Sequence, residues 1–391
     1  MTKSKVKALG IFSTAVVVTV GLAACSSNSS SSGSEKWKIG VEAPLTGSQA
    51  NLGQGMLQGA QLAADQINAE GGILGKQIEI VQIDDAADPD TGVTAANAAI
   101  ADGLNGVVGP YNSSVGVKTL PLYIKAGVVP MRLTSVNKTD GQGFTLQPMT
   151  NQIAPVTSQA LTKFYQAKSV GIIYDSTQNY TTSTSAAVKK QLEDAGVKVT
   201  SYTAVKPGED SYSSVVDQVK AKNPDVIYPA VYFPEGAKIA KELTPQSGGK
   251  ATKCLLDYAS YDTGYIQDAG KEAAQTCEVV GVPAPSDFKD SADKVDAFHK
   301  QFNQAPGTWS PYTFDSLKLL VDGANKVGNF DATPLTDQLK TTKDWQGWTG
   351  SVTIDPKTGN RTPATVVVTK VDANGEFHVD SDWAKVVGAP Y

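Results

Sequence analysis

Histidine is almost missing: His299 and His378 are the only two among 391 residues. A zinc site therefore has few ligands to draw on, and no Ser-His-Asp arrangement is suggested. Cysteine is nearly as scarce, with only Cys25, Cys254 and Cys277. Arginine is reduced to Arg132 and Arg361, so the positive charge is almost all lysine. The net charge of −5 is the reverse of the basic footprint that nucleic-acid binding leaves, and no nucleic-acid partner is expected. Beyond the first two dozen residues, no apolar run is long enough to span a bilayer.

Enzyme motifs are also wanting. No G-x-S-x-G elbow occurs. The stretch Gly53 to Gly59, GQGMLQG, approaches a dinucleotide fingerprint. Its spacing is wrong, and the preceding strand pattern ends about ten residues earlier. Ser135-x-x-Lys138 and Lys357-Thr358-Gly359 resemble two of the three marks of penicillin-recognising serine enzymes, but S-D-N is absent. A surface hydrolase using Ser135 and Lys138 remains a remote rival; the chain is read as a non-enzyme. Asp84, Asp85, Asp88 and Asp90 lack calcium-loop spacing and read as a strand end followed by a helix cap. No metal and no cofactor is expected.

What is present begins at the N-terminus. Lys3, Lys5 and Lys7 precede a mostly apolar stretch, Ala8 to Ala24, suited to a secretion signal. Leu22-Ala23-Ala24-Cys25 resembles a bacterial lipobox, which implies removal of residues 1–24 and lipidation of Cys25. The serine-rich stretch to residue 36 reads as a flexible linker. The body would then be exported and lipid-anchored at the outer face of the cytoplasmic membrane. In an exported chain, Cys254 and Cys277 read as a disulfide.

The body alternates strand and helix patterns. Lys38 to Val41 is a short apolar strand, Gly55 to Ile67 a helix, and KQIEIVQID an alternating strand. Asp88-Pro89 starts a helix running to about Asp102, and NGVVGP is the next strand. The pattern recurs after Ala154, with strands at AKSVGIIYD, VKVTSYTAV, NPDVIYPAV, TKCLLDYA and CEVVGVPAP separated by helices. This spacing predicts α/β architecture: two doubly wound parallel-sheet lobes. Residues 37–154 with 284–361 would form one lobe, and 155–283 with 362–391 the other. Cys254 and Cys277 start two successive strands, which favours their pairing. The tail is β-rich, with turns at Lys357 to Asn360 and at Asn374-Gly375.

Open α/β sheets bind ligands beyond the C-terminal ends of their strands. Those ends carry Asn112, Ser113 and Ser114 after VVG, then TSVNK after a second strand. In the other half they carry Tyr180, Tyr232, and Asp257 with Tyr258. An anion-binding helix start facing tyrosines and an acid suits a zwitterion.

The blocks IGVEAPLTGSQANLGQGMLQGAQLAADQINAEGGILGKQIEIVQIDDAADP, VVGPYNSS, VGIIYDSTQNY, GEDSYSSVVDQVKAKNPDVIYPAVYFPEG and GWTGSVTIDPKTGNR resemble the branched-chain amino-acid substrate-binding proteins of ABC transporters. The resemblance covers nearly all the chain after Trp37. It implies the type I periplasmic-binding fold, with lobes joined by a three-strand hinge, acting as a monomer that delivers a small solute to an ABC permease. It implies that Ser113 holds a ligand carboxylate and that the Ser135 carbonyl accepts from the ammonium. Asn137 falls where the family usually has threonine. Tyr180 and Tyr232 would close on the ligand, and Leu52 would border its side chain. Asp257, or Tyr258 beside it, falls at the ammonium-binding acid. Arg132 departs from the family's pattern; it reads as a snorkelling surface residue, or as one reaching the cleft to favour an anionic ligand. Members also take up urea, amides and aromatic acids, and a sensor subunit would use the same cleft.

Overall fold

The computed structural model describes residues 36–245 and 252–389. The signal-like segment, Cys25 and most of the serine linker lie outside the described residues.

The chain runs β1 (Trp37–Ala43), α1 (Ala50–Ala69), β2 (Ile78–Asp84), α2 (Pro89–Ala101), β3 (Gly106–Val108), α3 (Ser113–Lys125), β4 (Val129–Met131) and α4 (Thr150–Gln159). It continues β5 (Ser169–Asp175), α5 (Asn179–Asp194), β6 (Lys198–Val205), α6 (Ser213–Lys220), β7 (Val226–Ala230), α7 (Phe233–Leu243) and β8 (Lys253–Leu256). After the short helices α8 (Thr263–Ala269) and α9 (Lys271–Ala274) comes β9 (Glu278–Gly281). Three more helices follow: α10 (Ala292–Phe302), α11 (Ser310–Val327) and α12 (Ala332–Lys340). The chain then forms β10 (Trp345–Gly347), β11 (Gly350–Val352), β12 (Val367–Val371), β13 (Phe377–Val379) and α13 (Ser381–Val387).

Two principal sheets result. The first is parallel, in the order β2-β1-β3-β4. The second has the order β13-β12-β9-β8-β7-β5-β6. Its five strands from β9 to β6 are parallel, and β12 and β13 add an antiparallel edge. The chain passes between the two sheets three times: after β4, after β9 and after β11. The expected lobe boundary at residue 154 falls inside α4, which packs on α5, so the first passage precedes it.

Local chemistry explains the elements. Asp88 caps α2, its carboxylate accepting from the N–H groups of Asp90 and Thr91. Helix α1 begins five residues before its strongest apolar pattern. Its end is set by Gly71 and Gly72, both at positive φ, which a side chain resists. The near-fingerprint glycines are packing positions. A Cβ on Gly59 would overlap the Ser310 carbonyl, and one on Gly53 would overlap that of Pro44. Ser310 and Thr313 hydroxyls donate to the carbonyls of Gly55 and Met56 across the same seam, at 2.7 and 2.8 Å. Helix α11 thus returns to lie on α1, placing the late helices with the first sheet. Cys254 and Cys277 form a disulfide between the starts of neighbouring β8 and β9, with their Cα atoms 4.7 Å apart.

Arg132 is neither a surface residue nor a cleft residue. It is fully buried. Its guanidinium donates to Asn360 Oδ1 and to the carbonyls of Thr134 and Thr358. Asn360 in turn donates to Asp140, which also accepts from Asn137. Burial lowers the Arg132 pKa to about 10, and the nearby Asp140 opposes that shift. Burying the charge is tolerable because both terminal nitrogens find partners, although Nε is left without one. Arg132 therefore ties the loop after β4 to the turn near Gly359.

Candidate functional site

The site lies where strand ends from both sheets converge. From the first sheet, β3 leads through Tyr111 into α3. Asn112 stands at the N-cap position yet makes no side-chain cap; its amide donates to Gln49 Oε1 at 3.1 Å. The N-terminal peptide N–H groups of α3 thus begin behind two buried serines. Ser113 Oγ accepts from Ser135 N at 3.2 Å, and Ser114 Oγ accepts from Asn179 N at 2.8 Å.

From the second sheet come Tyr180 in the first turn of α5, Tyr232 before α7, and Asp257 with Tyr258 after β8. Tyr111, Ser113, Leu133, Ser135, Gln147, Tyr180, Tyr232 and Tyr258 surround one cavity of about 10 Å³, the room of roughly one water. The walls meet across the two halves. Tyr111 lies edge-on to Tyr232 at 6.2 Å, and Tyr258 lies 5.4 Å from Trp309. Tyr258 Oη also donates to Gln147 Oε1 at 3.4 Å. These contacts describe a closed arrangement.

Tyr180 Oη is buried without a hydrogen-bond partner. Burial, and secondarily the nearby Asp257, push its pKa well above the ordinary value, so it remains a donor. Asp257 stands one layer behind the lining. Its Oδ2 accepts from Tyr228 Oη at 2.5 Å and its Oδ1 from Ala259 N at 3.1 Å. Burial raises its pKa, against those hydrogen bonds. None of the lining side chains carries a full charge at neutral pH.

Of the residues expected at the site, Ser113, Ser135, Tyr180 and Tyr232 share this lining. The Ser135 carbonyl, the expected ammonium acceptor, already accepts from Thr150 N and Oγ1 at 2.7 and 2.9 Å. Its hydroxyl donates to Pro148 O and accepts from Gln147, and Lys138 is exposed, so no base activates it as a nucleophile. Leu52 is buried in the first turn of α1 and is not in the lining. Asn137 is also outside it; its Oδ1 accepts from Asn151 N and its amide donates to Asp140. Tyr258 lines the cavity where Asp257 does not. Tyr111, Leu133, Gln147 and Trp309 were not singled out by sequence. Tyr111 could have been, since it directly precedes Asn112 at the same strand end. The other three carry no local mark.

A model of the periplasmic binding protein family matches residues 36–376. A Leu/Ile/Val-binding protein homolog 2 from Brucella abortus (strain 2308) is 29% identical over 331 residues, covering 82% of this chain and 86% of its own. The solved leucine binding protein LivK from Thermotoga maritima superposes with a TM-score of 0.80 at 22% identity, over 88% of this chain and 98% of its own. A solute binding protein of an ABC transporter from Rhodopseudomonas palustris BisB5, in complex with 3,4-dihydroxy benzoic acid, gives 0.77 at 21% identity, over 88% and 95%.

Proposed function

The chain belongs to the periplasmic binding protein family, and from that premise we propose that it is the solute-binding component of an ABC importer for a branched-chain or other small amino acid. The observation that carries the reading is the convergence at the strand ends of the α3 N-terminus and the tyrosines of the second half, around a gap that must widen to admit a solute. Peptide N–H groups and the Ser113 hydroxyl suit a carboxylate. Tyr111, Leu133 and Tyr232 offer apolar surface to a side chain. Asp257 sits one layer behind the lining, beside Tyr180, where its carboxylate, when ionised, would favour an ammonium. The solute holds the halves together by binding the closed form more tightly than the open one. Lipidation of Cys25 keeps the receptor beside its permease and raises its effective concentration there.

A second reading is an aromatic-acid or other non-amino-acid solute. The observation favouring it is the absence of any acid from the lining itself. Calorimetry on protein unfolded and refolded to strip bound solute separates the two. Leucine, isoleucine, valine and phenylalanine are titrated first, then urea, acetamide and benzoate. Tight binding of an aliphatic amino acid supports the first reading; heat from benzoate or an amide alone replaces it with the second.

A further inference from the structure

The walls of the cleft are aromatic. Tyr111, Tyr180, Tyr232 and Tyr258 line the cavity. Trp309 adjoins it, its ring 5.3 Å from that of Tyr111 and 5.4 Å from that of Tyr258. The Tyr180 and Tyr258 rings are 6.3 Å apart. All five side chains are buried.

Two of the ring pairs join the halves. Tyr111 follows β3, and Trp309 opens α11, which lies on α1, so both belong with the first sheet. Tyr232 precedes α7 and Tyr258 follows β8, so both belong with the second. Tyr111 meets Tyr232 at 6.2 Å and 70°, an arrangement in which one ring turns its face toward the other. Tyr258 meets Trp309 at 60°. Parting the halves therefore separates ring from ring, and the slot that opens has aromatic walls on both sides.

A primary ammonium brings three N–H donors, each of which needs an acceptor once buried. The acceptors expected for it are already engaged. No carboxylate lines the cavity. Asp257 accepts from Tyr228 Oη and Ala259 N. The Ser135 carbonyl takes both donors of Thr150, and Gln147 Oε1 takes the Tyr258 hydroxyl. The lining is rich instead in π surface. A quaternary ammonium has no N–H to satisfy. It is attracted to ring faces within about 6 Å of their centroids, most strongly where water is excluded.

We propose that the solute is a betaine-type zwitterion, with its carboxylate at the α3 N-terminus and a quaternary ammonium enclosed by the rings of Tyr111, Tyr232, Tyr258 and Trp309. The inference rests on the reading of the cleft as a receptor for an amino-acid-like zwitterion, and it names the form of the cation. Ser113 lines the same cavity as the three tyrosines, so one small molecule spans both ends. An acid-free lining then agrees with a positively charged solute. Asp257, one layer back beside Tyr180, acts on such a cation through space and needs no contact with it.

The test is calorimetry on the stripped protein with glycine, N,N-dimethylglycine, glycine betaine and leucine. Affinity should rise along the methyl series, with glycine betaine at least about tenfold tighter than dimethylglycine. Tyr258→Leu should weaken glycine betaine at least about tenfold more than Tyr258→Phe, which keeps the ring. Tyr111→Leu against Tyr111→Phe gives the same comparison where Tyr258→Leu does not fold. Equal losses in the Leu and Phe variants would assign the effect to the hydroxyl and overturn the aromatic enclosure. Heat from leucine with none from glycine betaine overturns the inference and leaves the amino-acid receptor standing. No heat from any of the four overturns both.

Discussion

Tyr180 joins the two questions a cleft residue raises: what it does for the fold and what it does for a solute. Its hydroxyl is buried beside Asp257 and Thr184 without a well-formed hydrogen bond to either, so removing it should cost the fold little. If that hydroxyl serves the solute, Tyr180→Phe should weaken binding up to about tenfold, the worth of one hydrogen bond. Its melting temperature should stay level or rise. Calorimetry and thermal denaturation read the two effects separately. Equal affinity in the variant would remove Tyr180 from the ligand's contacts. Glu42 and Asp85 pose a different residue-scale problem. Both are fully buried, and each leaves one carboxylate oxygen without a partner. Thr119 Oγ1 donates to Glu42, and Tyr123 from the same helix faces the pair. Burial raises both pKa values, that of Asp85 to about 7, with Asp84 and Asp88 adding repulsion. Between pH 4 and 7 the folded state thus holds protons that the unfolded chain has released. Stability from this pair falls as pH rises through that window. Asp85→Asn should flatten that fall, measured as melting temperature from pH 5 to 8. A parallel pH profile in the variant would refute the assignment. Strand ends pointed to Ser113, Tyr180 and Tyr232, and the structure brings all three to one cavity lining. Arg132 was not legible, because the partners that make its burial tolerable, Thr358 and Asn360, lie more than 220 residues further along the chain. Gln147 and Trp309 reach the cleft only through packing of separate segments.

At the scale of elements, periodicity and caps located most strands and helices. The glycines Gly53 and Gly59 only approach a dinucleotide fingerprint, with the wrong spacing, and their absent side chains instead admit other backbone segments. Gly59→Ala would ordinarily favour a helix by about 1 kcal/mol. In α1 the added methyl meets the Ser310 carbonyl and Thr313 hydroxyl of α11. The variant should instead lose about 1–3 kcal/mol, as overpacked cores do. Chemical denaturation measures this directly; a stabilised variant would mean the two helices are not in close contact. Element ends were less legible than element identity. The start of α1 at Ala50 and the antiparallel edge formed by β12 and β13 depend on contacts with distant segments.

Among the described residues, two principal sheets are connected by three passages of the chain, with polar and aromatic groups from both sides meeting at one cavity. The alternation of strand and helix made the two-layer plan readable. The closed arrangement was not readable, since it depends on how Ser114 meets Asn179 and Tyr258 meets Gln147 and Trp309. Those contacts are few beside each lobe's own core, so a solute between the lobes is expected to shift their separation rather than their folds. The measurement that bears most directly on this is small-angle X-ray scattering of stripped protein, before and after saturation with the solute identified by calorimetry. The account predicts a smaller radius of gyration in the bound protein than in the stripped one. Saturating binding with an unchanged scattering curve would contradict capture by closure.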